Sequence, residues 1–308
     1  MVLVGAMALV EPRFFSRLNI INILRNFSFL SMIAIGQMLV MIVGGFDMCV
    51  GAVMALASVS GAMTMGAALV AFPDLPVWLV CLAGVMVALG VGTLAGLVNG
   101  LLVIGLRISP FMGTLGMMSA LGGLALFFTR GVPITTVPRE FVSDLGRGMW
   151  LGLPLIVWIV AGVILLAWWV MEQTAGGRHL YAAGGNPQAA RASGIASGRV
   201  VTSAYMASGL LAAGAGILMT ARVGSGQPIL GSTAAIESIA AAVLGGVSLR
   251  GGIGRVTRVV TAALFLAILS NVLNLARVDS KWQTLILGIA VILAVLIELK
   301  ASRRSDNE

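Results

Sequence analysis

Along the chain, apolar residues come in long runs separated by short polar stretches. The runs cover 1–10 (short), 27–44, 50–72, 77–104, 111–129, 151–171, 200–221, 235–249 (short), 256–276 and 282–299. Most approach the roughly 20 residues a helix needs to cross a bilayer. Inside lipid every backbone polar group must be satisfied within its own segment, so these runs predict helices. A membrane β-barrel would alternate apolar and polar residues over strands of about ten, and no such alternation is present. The pattern predicts an all-α integral membrane protein. It is read as a polytopic bundle of about ten transmembrane helices forming one domain over 1–308.

Composition agrees. Of 308 residues, 59% are hydrophobic and 10% are charged, where a soluble domain is about a quarter charged. The residues for a polar shell are missing. The 40 glycines suit a membrane bundle, because small residues let helices approach closely. The net charge of +8 reads as cytoplasmic-loop bias. No basic cluster alternates with aromatic residues, so nucleic acid is not an expected partner. Cys49 and Cys81 lie in apolar surroundings and read as packing residues. His179 stands without a His, Cys or acidic cluster, so no metal site is expected. Met1–Val10 has neither a basic start nor a cleavage site and reads as the end of a first, short helix.

Lysine and arginine give an orientation. The 172–199 loop carries Arg178, Arg191 and Arg199 against Glu172, and the 250–258 loop carries Arg250, Arg255 and Arg258. Arg107 lies in the 105–110 turn, and the tail holds Lys300, Arg303 and Arg304. With ten spans these all face one side, which predicts a cytoplasmic location for them and for both termini. The opposite loops are 130–150, nearly charge-balanced, and 222–235. The 11–26 loop, with Arg13, Arg17 and Arg25, disagrees with this scheme. A Walker-type GxxxxGK[ST] is absent. Two GG-x5-G stretches, at Gly44-Gly45 to Gly51 and Gly245-Gly246 to Gly252, fit either a faint internal repeat or chance in a glycine-rich chain.

A few polar residues interrupt the apolar runs. Asp47, in VGGFDMCVGAVMALA, is either a pathway or hinge residue, or a cap for the helix that follows. Asn99 shares a helix with Gly92, Gly96 and Gly100 at i, i+4 spacing, a small-xxx-small pattern for close packing. It reads as an interhelical hydrogen bonder or a path-lining residue. Asn271 and Asn274 lie three apart on one helix face, with the same two readings. Trp282 and Gln283 open the last segment, where Trp282 fits an interfacial belt. Glu237 reads as an acid at a helix N-terminus. No catalytic constellation is available from one histidine and eleven acids.

The central loop 172–199 holds the least membrane-like stretch, GGNPQAARASGI. Asn186 is a good N-cap, Pro187 suits the first helical position, and Gly194 suits the residue beyond the C-cap. That predicts a helix of about seven residues, roughly 10 Å long, too short to stand alone in water. It lacks the bulky apolar face that lying on lipid requires. A docking element is the reading that remains.

At this point the sequence resembles the membrane permeases of ABC-type sugar importers for ribose, xylose, arabinose and galactose. The stretches that carry the resemblance are GGFDMCVGAVMALA (44–57), NGLLVIGLRISPFMGTLGMMSALGGLALFFTRGVPI (99–134), GRHLYAAGGNPQAARASGI (177–195) and SIAAAVLGGVSLRGGIG (238–254). They appear in order over nearly the whole chain, and GGN-x-x-AA-x-x-SGI is the most specific. The resemblance implies that the short helix is a coupling helix entering a cleft on a separate cytoplasmic ATPase subunit. Its contact would involve Gly185, Asn186, Ala189, Ala190, Arg191, Ser193, Gly194 and Ile195. It also implies a second permease subunit (a copy or a paralogue), a periplasmic sugar-binding protein, and ATP and Mg bound by the ATPase, with no cofactor in this chain. Where the family commonly has Leu-Ser after the Asp, this chain has Met48 and Cys49. The implied mechanism is alternating access along the interface between permeases. The rival readings are a nucleoside or branched-chain amino-acid permease of the same superfamily, an ion-coupled secondary transporter and a membrane enzyme.

Overall fold

In the computed structural model, described for residues 12–279 and at 282, 285, 286, 288 and 289, the chain is built almost wholly from helices. A single 3-10 turn, Pro12–Phe15, leads into α1 (Arg17–Ile42), α2 (Val50–Ala71), α3 (Val77–Ile104) and α4 (Pro110–Thr129). A π-helical turn, Phe141–Gly146, and a small antiparallel hairpin, β1 (Met149–Trp150) and β2 (Leu153–Pro154), precede α5 (Leu155–Gln173). Two short helices follow, α6 (Ala175–Gly185) and α7 (Pro187–Ala192), and then α8 (Ser197–Val223), α9 (Ala234–Leu244) and α10 (Val256–Leu275).

Seven of the described helices, α1–α5, α8 and α10, are long and apolar enough to cross a membrane. Eight of the ten expected segments fall among the described residues. The 235–249 segment is the short one: α9 ends at Leu244 because Gly245 and Gly246 close it, with Gly246 at φ +75°. Segment 1–10, nearly all of 282–299, and Gln283 lie outside the described residues.

α1 begins at Arg17, ten residues earlier than the apolar run indicated. Its polar first turns are usable because Ser16 caps them and because Asn19 and Asn26 find partners. Asn19 and Asn271 exchange amide hydrogen bonds at 3.0 and 2.8 Å, tying α1 to α10. Arg222 of α8 donates to Asn26 at 2.8 Å. Most of the 11–26 stretch is therefore helix and not loop.

α1 and α8 are the centre. α1 packs on α5, α6, α8, α9 and α10, and α8 also packs on α2 and α3. The α3–α8 contact is made by small residues: a Cβ on Gly92 would strike the Gly209 carbonyl, and one on Gly96 the Tyr205 carbonyl. Such close backbone approach is the main source of helix association where lipid tails are as apolar as leucine. α3, α4 and α5 lie outside and expose Trp78, Met86, Phe111, Phe127, Leu165 and Trp169. In water such a surface would aggregate; against acyl chains or a second helical subunit it is stable.

The loops sort into two ends. At one, Gly252 donates to the Ile42 carbonyl at 2.8 Å and the Tyr181 hydroxyl donates to the Gly254 carbonyl at 2.7 Å. Arg107 and Arg191 share a cavity there with Gly44. At the other, Ile134 and Gly226 pair as an isolated antiparallel bridge. The described arginine loops thus lie at one end; the tail with Lys300, Arg303 and Arg304 lies outside the described residues.

Candidate functional site

The α1–α2 break, residues 43–49, is the most polar part of the interior. α1 closes with Gly44 donating to Met41 and Gly45 to Val40, both at 2.9 Å, and Gly44 at φ +79°. The chain then carries Asp47 into a site where it is 1% exposed. Asp47 Oδ1 accepts from the Cys49 backbone N–H at 3.1 Å and from Cys49 Sγ at 3.0 Å. Oδ2 accepts from Ser208 of α8 at 2.8 Å. Asn99 of α3 donates to Cys49 Sγ at 2.9 Å. The Tyr205 hydroxyl donates to the Phe46 carbonyl at 3.3 Å, and Thr114 of α4 accepts from Met48 N at 3.1 Å. Three other helices, α3, α4 and α8, therefore hold the break, and no cation lies among these partners. Asp47 binds the N–H of Cys49, the residue just before α2, and cross-links to α8.

Asp47 and Asn99 thus meet at one site, through Cys49. Asn271 and Asn274 lie elsewhere, at the far end of α10. Asn271 is used in the pair with Asn19, and Asn274 is exposed and donates to Ser270 at 2.9 Å. Sequence reasoning missed Ser208, Tyr205 and Thr114, and also Gln37. The signal for Ser208 and Tyr205 was their three-residue spacing in an otherwise alanine- and glycine-rich helix. Among the described residues, the buried Asn99 Oδ1 and both Gln37 amide atoms have no hydrogen-bond partner. Each such atom costs about 1–3 kcal/mol.

The second element is α7. Asn186 caps it, its side chain accepting from Gln188 N at 3.1 Å and Ala189 N at 3.0 Å. At the other end Gly194, φ +81°, donates to Arg191 and Ile195 donates to Ala190, both at 3.0 Å. This is a Schellman closure, and a left-handed residue beyond the C-cap makes it possible. Gly185, Asn186, Ala189, Arg191, Ser193 and Gly194 are exposed and Ile195 is half-buried. Ala190 is the exception: at 4% exposure its methyl seats α7 on the body of the protein and is not free for a partner. α7 packs mainly on α6 and less on α8.

α6, read from sequence as loop, connects these two places. Thr174 caps it. Its last turn crosses the end of α1 so closely that a Cβ on Gly184 would strike the Ile42 carbonyl. The same carbonyl accepts from Gly252. α7, the α1–α2 break and the 248–254 loop are therefore joined backbone to backbone. Tyr181 of α6 lies in this junction. Burial is the main cause that raises its pKa above the ordinary tyrosine value; Glu172 adds to it and Arg255 opposes it. The hydroxyl therefore stays a donor to Gly254.

Comparison with known proteins places the chain. The ribose import permease protein RbsC of Haemophilus influenzae is 37% identical over 96% of this chain and 90% of its own length. RbsC of Bacillus subtilis is 39% identical over 98% of this chain and 91% of its own length. The fructose import permease protein FrcC of Rhizobium meliloti is 33% identical over 93% of this chain and 79% of its own length. No solved structure matches the chain. The family described as the permease component of branched-chain amino acid transport systems matches residues 19–296. With seven described helices long and apolar enough to cross a membrane, and with these import permeases similar over nearly its whole length, the chain is an integral membrane protein that belongs to this permease family.

Proposed function

We propose that this chain is the transmembrane subunit of a binding-protein-dependent ABC importer, that it carries a monosaccharide into the cytoplasm, and that a separate ATPase drives it through α7. The observation that carries this reading is α7: a capped, exposed, six-residue step at the arginine-rich end, joined to the core by a backbone junction. The ribose and fructose permeases among its relatives support a sugar over a branched-chain amino acid or a nucleoside.

In this reading the ATPase subunits close on ATP and Mg, which they bind, and displace α7. The Gly184–Ile42–Gly252 junction passes the displacement to the α1–α2 break. The break is a hinge, with Asp47, Cys49 and Asn99 as its polar hold. The unpartnered Asn99 and Gln37 atoms are hydrogen bonds left to be made in the other state. A second permease subunit covers part of the exposed apolar surface, and a periplasmic binding protein delivers the sugar. Both termini face the cytoplasm.

The test is reconstitution. The chain, its copurifying ATPase and the binding protein are placed in liposomes, and uptake of labelled ribose, fructose and leucine is followed with and without ATP. ATP- and binding-protein-dependent sugar uptake is expected. Uptake of leucine alone, or uptake driven by an ion gradient without ATP, would count against the proposal.

A further inference from the structure

Beside the junction, a cavity of about 630 Å³ opens between the end of α5, α6 and the start of α10. Arg178, Arg255 and Arg258 line it with Tyr181, and Glu172 is the single acid on its wall. All three arginines are exposed, and among the described residues no salt bridge neutralises them. No α7 residue takes part. The cavity shares Gly246 and Arg258 with a second, mostly apolar groove of about 500 Å³. That groove runs along α9 and α10 past Leu244, Thr261, Ala262 and Phe265. Leu244 and Phe265 are exposed although both belong to apolar helices. Trp168 and Trp169, also exposed, lie one turn before Glu172 and mark the interfacial level, where indole rings settle.

We infer that this composite site binds an anionic phospholipid, with the phosphodiester headgroup among Arg178, Arg255 and Arg258 and an acyl chain in the α9–α10 groove. Guanidinium groups suit the phosphate oxygens by geometry as well as charge. Basic pockets between spanning helices are known to take anionic headgroups. The apolar groove favours lipid over an acidic protein surface, which would have no use for a slot walled by a spanning helix. The site is independent of which solute the chain carries.

The test uses the full chain, purified in mild detergent and stripped of lipid. Native mass spectrometry follows retention of dioleoylphosphatidylglycerol against dioleoylphosphatidylcholine. Preferential retention of the anionic lipid is expected. R255Q/R258Q should weaken it roughly 25-fold, at about fivefold per arginine near a membrane surface, and R255K/R258K should retain most of it. Ala262→Trp, which fills the groove, should also weaken lipid retention. Should the double variant fail to elute as one species, R258Q alone, with about a fivefold loss expected, serves instead. Equal retention of the two lipids, or undiminished retention in R258Q, overturns the proposal. So does inorganic phosphate displacing the lipid while Ala262→Trp has no effect, which would mark a free-phosphate site. Expulsion of the lipid by added ATPase subunit also overturns it, since the pocket would then be a protein contact.

Discussion

Cys49 donates its thiol proton to Asp47 at 3.0 Å and accepts from Asn99 at 2.9 Å. A serine hydroxyl has the same capacity, one donor and acceptor lone pairs. Cys49→Ser is therefore expected to leave stability within about 0.5 kcal/mol. Cys49→Ala strands the Asn99 amide and removes a donor from Asp47, both fully buried, and should cost about 1–3 kcal/mol. Thermal unfolding of the full chain in one detergent compares the three proteins, and equal midpoints would remove Cys49 from the hold on the break. Tyr181 gives a pH-dependent case. Its pKa is raised in the folded state, so its advantage over phenylalanine is complete below the unfolded value of about 10. That advantage is lost as pH rises through the raised folded value. Tyr181→Phe should lower the unfolding midpoint at neutral pH, for a loss of about 0.5–1.5 kcal/mol. The gap to wild type should narrow above about pH 10; a gap constant with pH would mean that the hydroxyl bond to Gly254 is not what Tyr181 contributes.

At the scale of elements, what the sequence revealed depended on what each helix packs against. α2, α3, α4 and α8 were legible because apolar runs that face lipid or other helices on all sides leave little room for polar residues. α1 was cut short because Arg17, Asn19, Arg25 and Asn26 look like loop residues until Asn271 and Arg222, distant in sequence, are seen to satisfy two of them. α6 was missed because Gly176, Gly177, Gly184 and Gly185 argue against a helix locally. The reason for Gly184 is a carbonyl 142 residues away in the chain, at Ile42. α7 was legible because its caps are local chemistry. The Asp47 site was visible only as an isolated acid, since its partners come from three other helices. α7's closure makes a sharp prediction. Valine at Gly194 must adopt φ +81°, which for a β-branched residue costs on the order of 1–2 kcal/mol or more. Gly194→Val should leave the spans assembled in the membrane but open the last turn of α7. In liposomes containing the ATPase, hydrolysis should continue while ATP-dependent uptake falls at least several-fold. Unchanged uptake per ATP would show that the closure of α7 does not matter to coupling.

For the whole molecule, the decisive quantity is the charge difference between its two ends. The end carrying α6 and α7 has Arg107, Arg178, Arg191, Arg199, Arg250, Arg255 and Arg258 against Glu172. The other end mixes Arg17, Arg25, Arg130, Arg139, Arg147, Arg222 and Arg277 with Asp74, Glu140, Asp144, Glu237 and Asp279, so its positive excess is smaller. Positive charge in short loops is retained on the cytoplasmic side during insertion, and acids contribute little to the choice. The structure adds that these arginine loops are one surface, tied together through Ile42 and Gly252, so they face the same compartment together. Two exposed positions report it, Gln188 on α7 and Ser143 at the opposite end. In a Cys49→Ser, Cys81→Ser background without the ATPase, Gln188→Cys should react with a membrane-impermeant maleimide in inside-out vesicles and not in right-side-out vesicles. Ser143→Cys should do the reverse. Adding the ATPase should protect Gln188→Cys and leave Ser143→Cys unaffected. The opposite labelling would turn the arginine-rich end outward, where no cytoplasmic ATPase can reach α7, and the proposed coupling would fall with it.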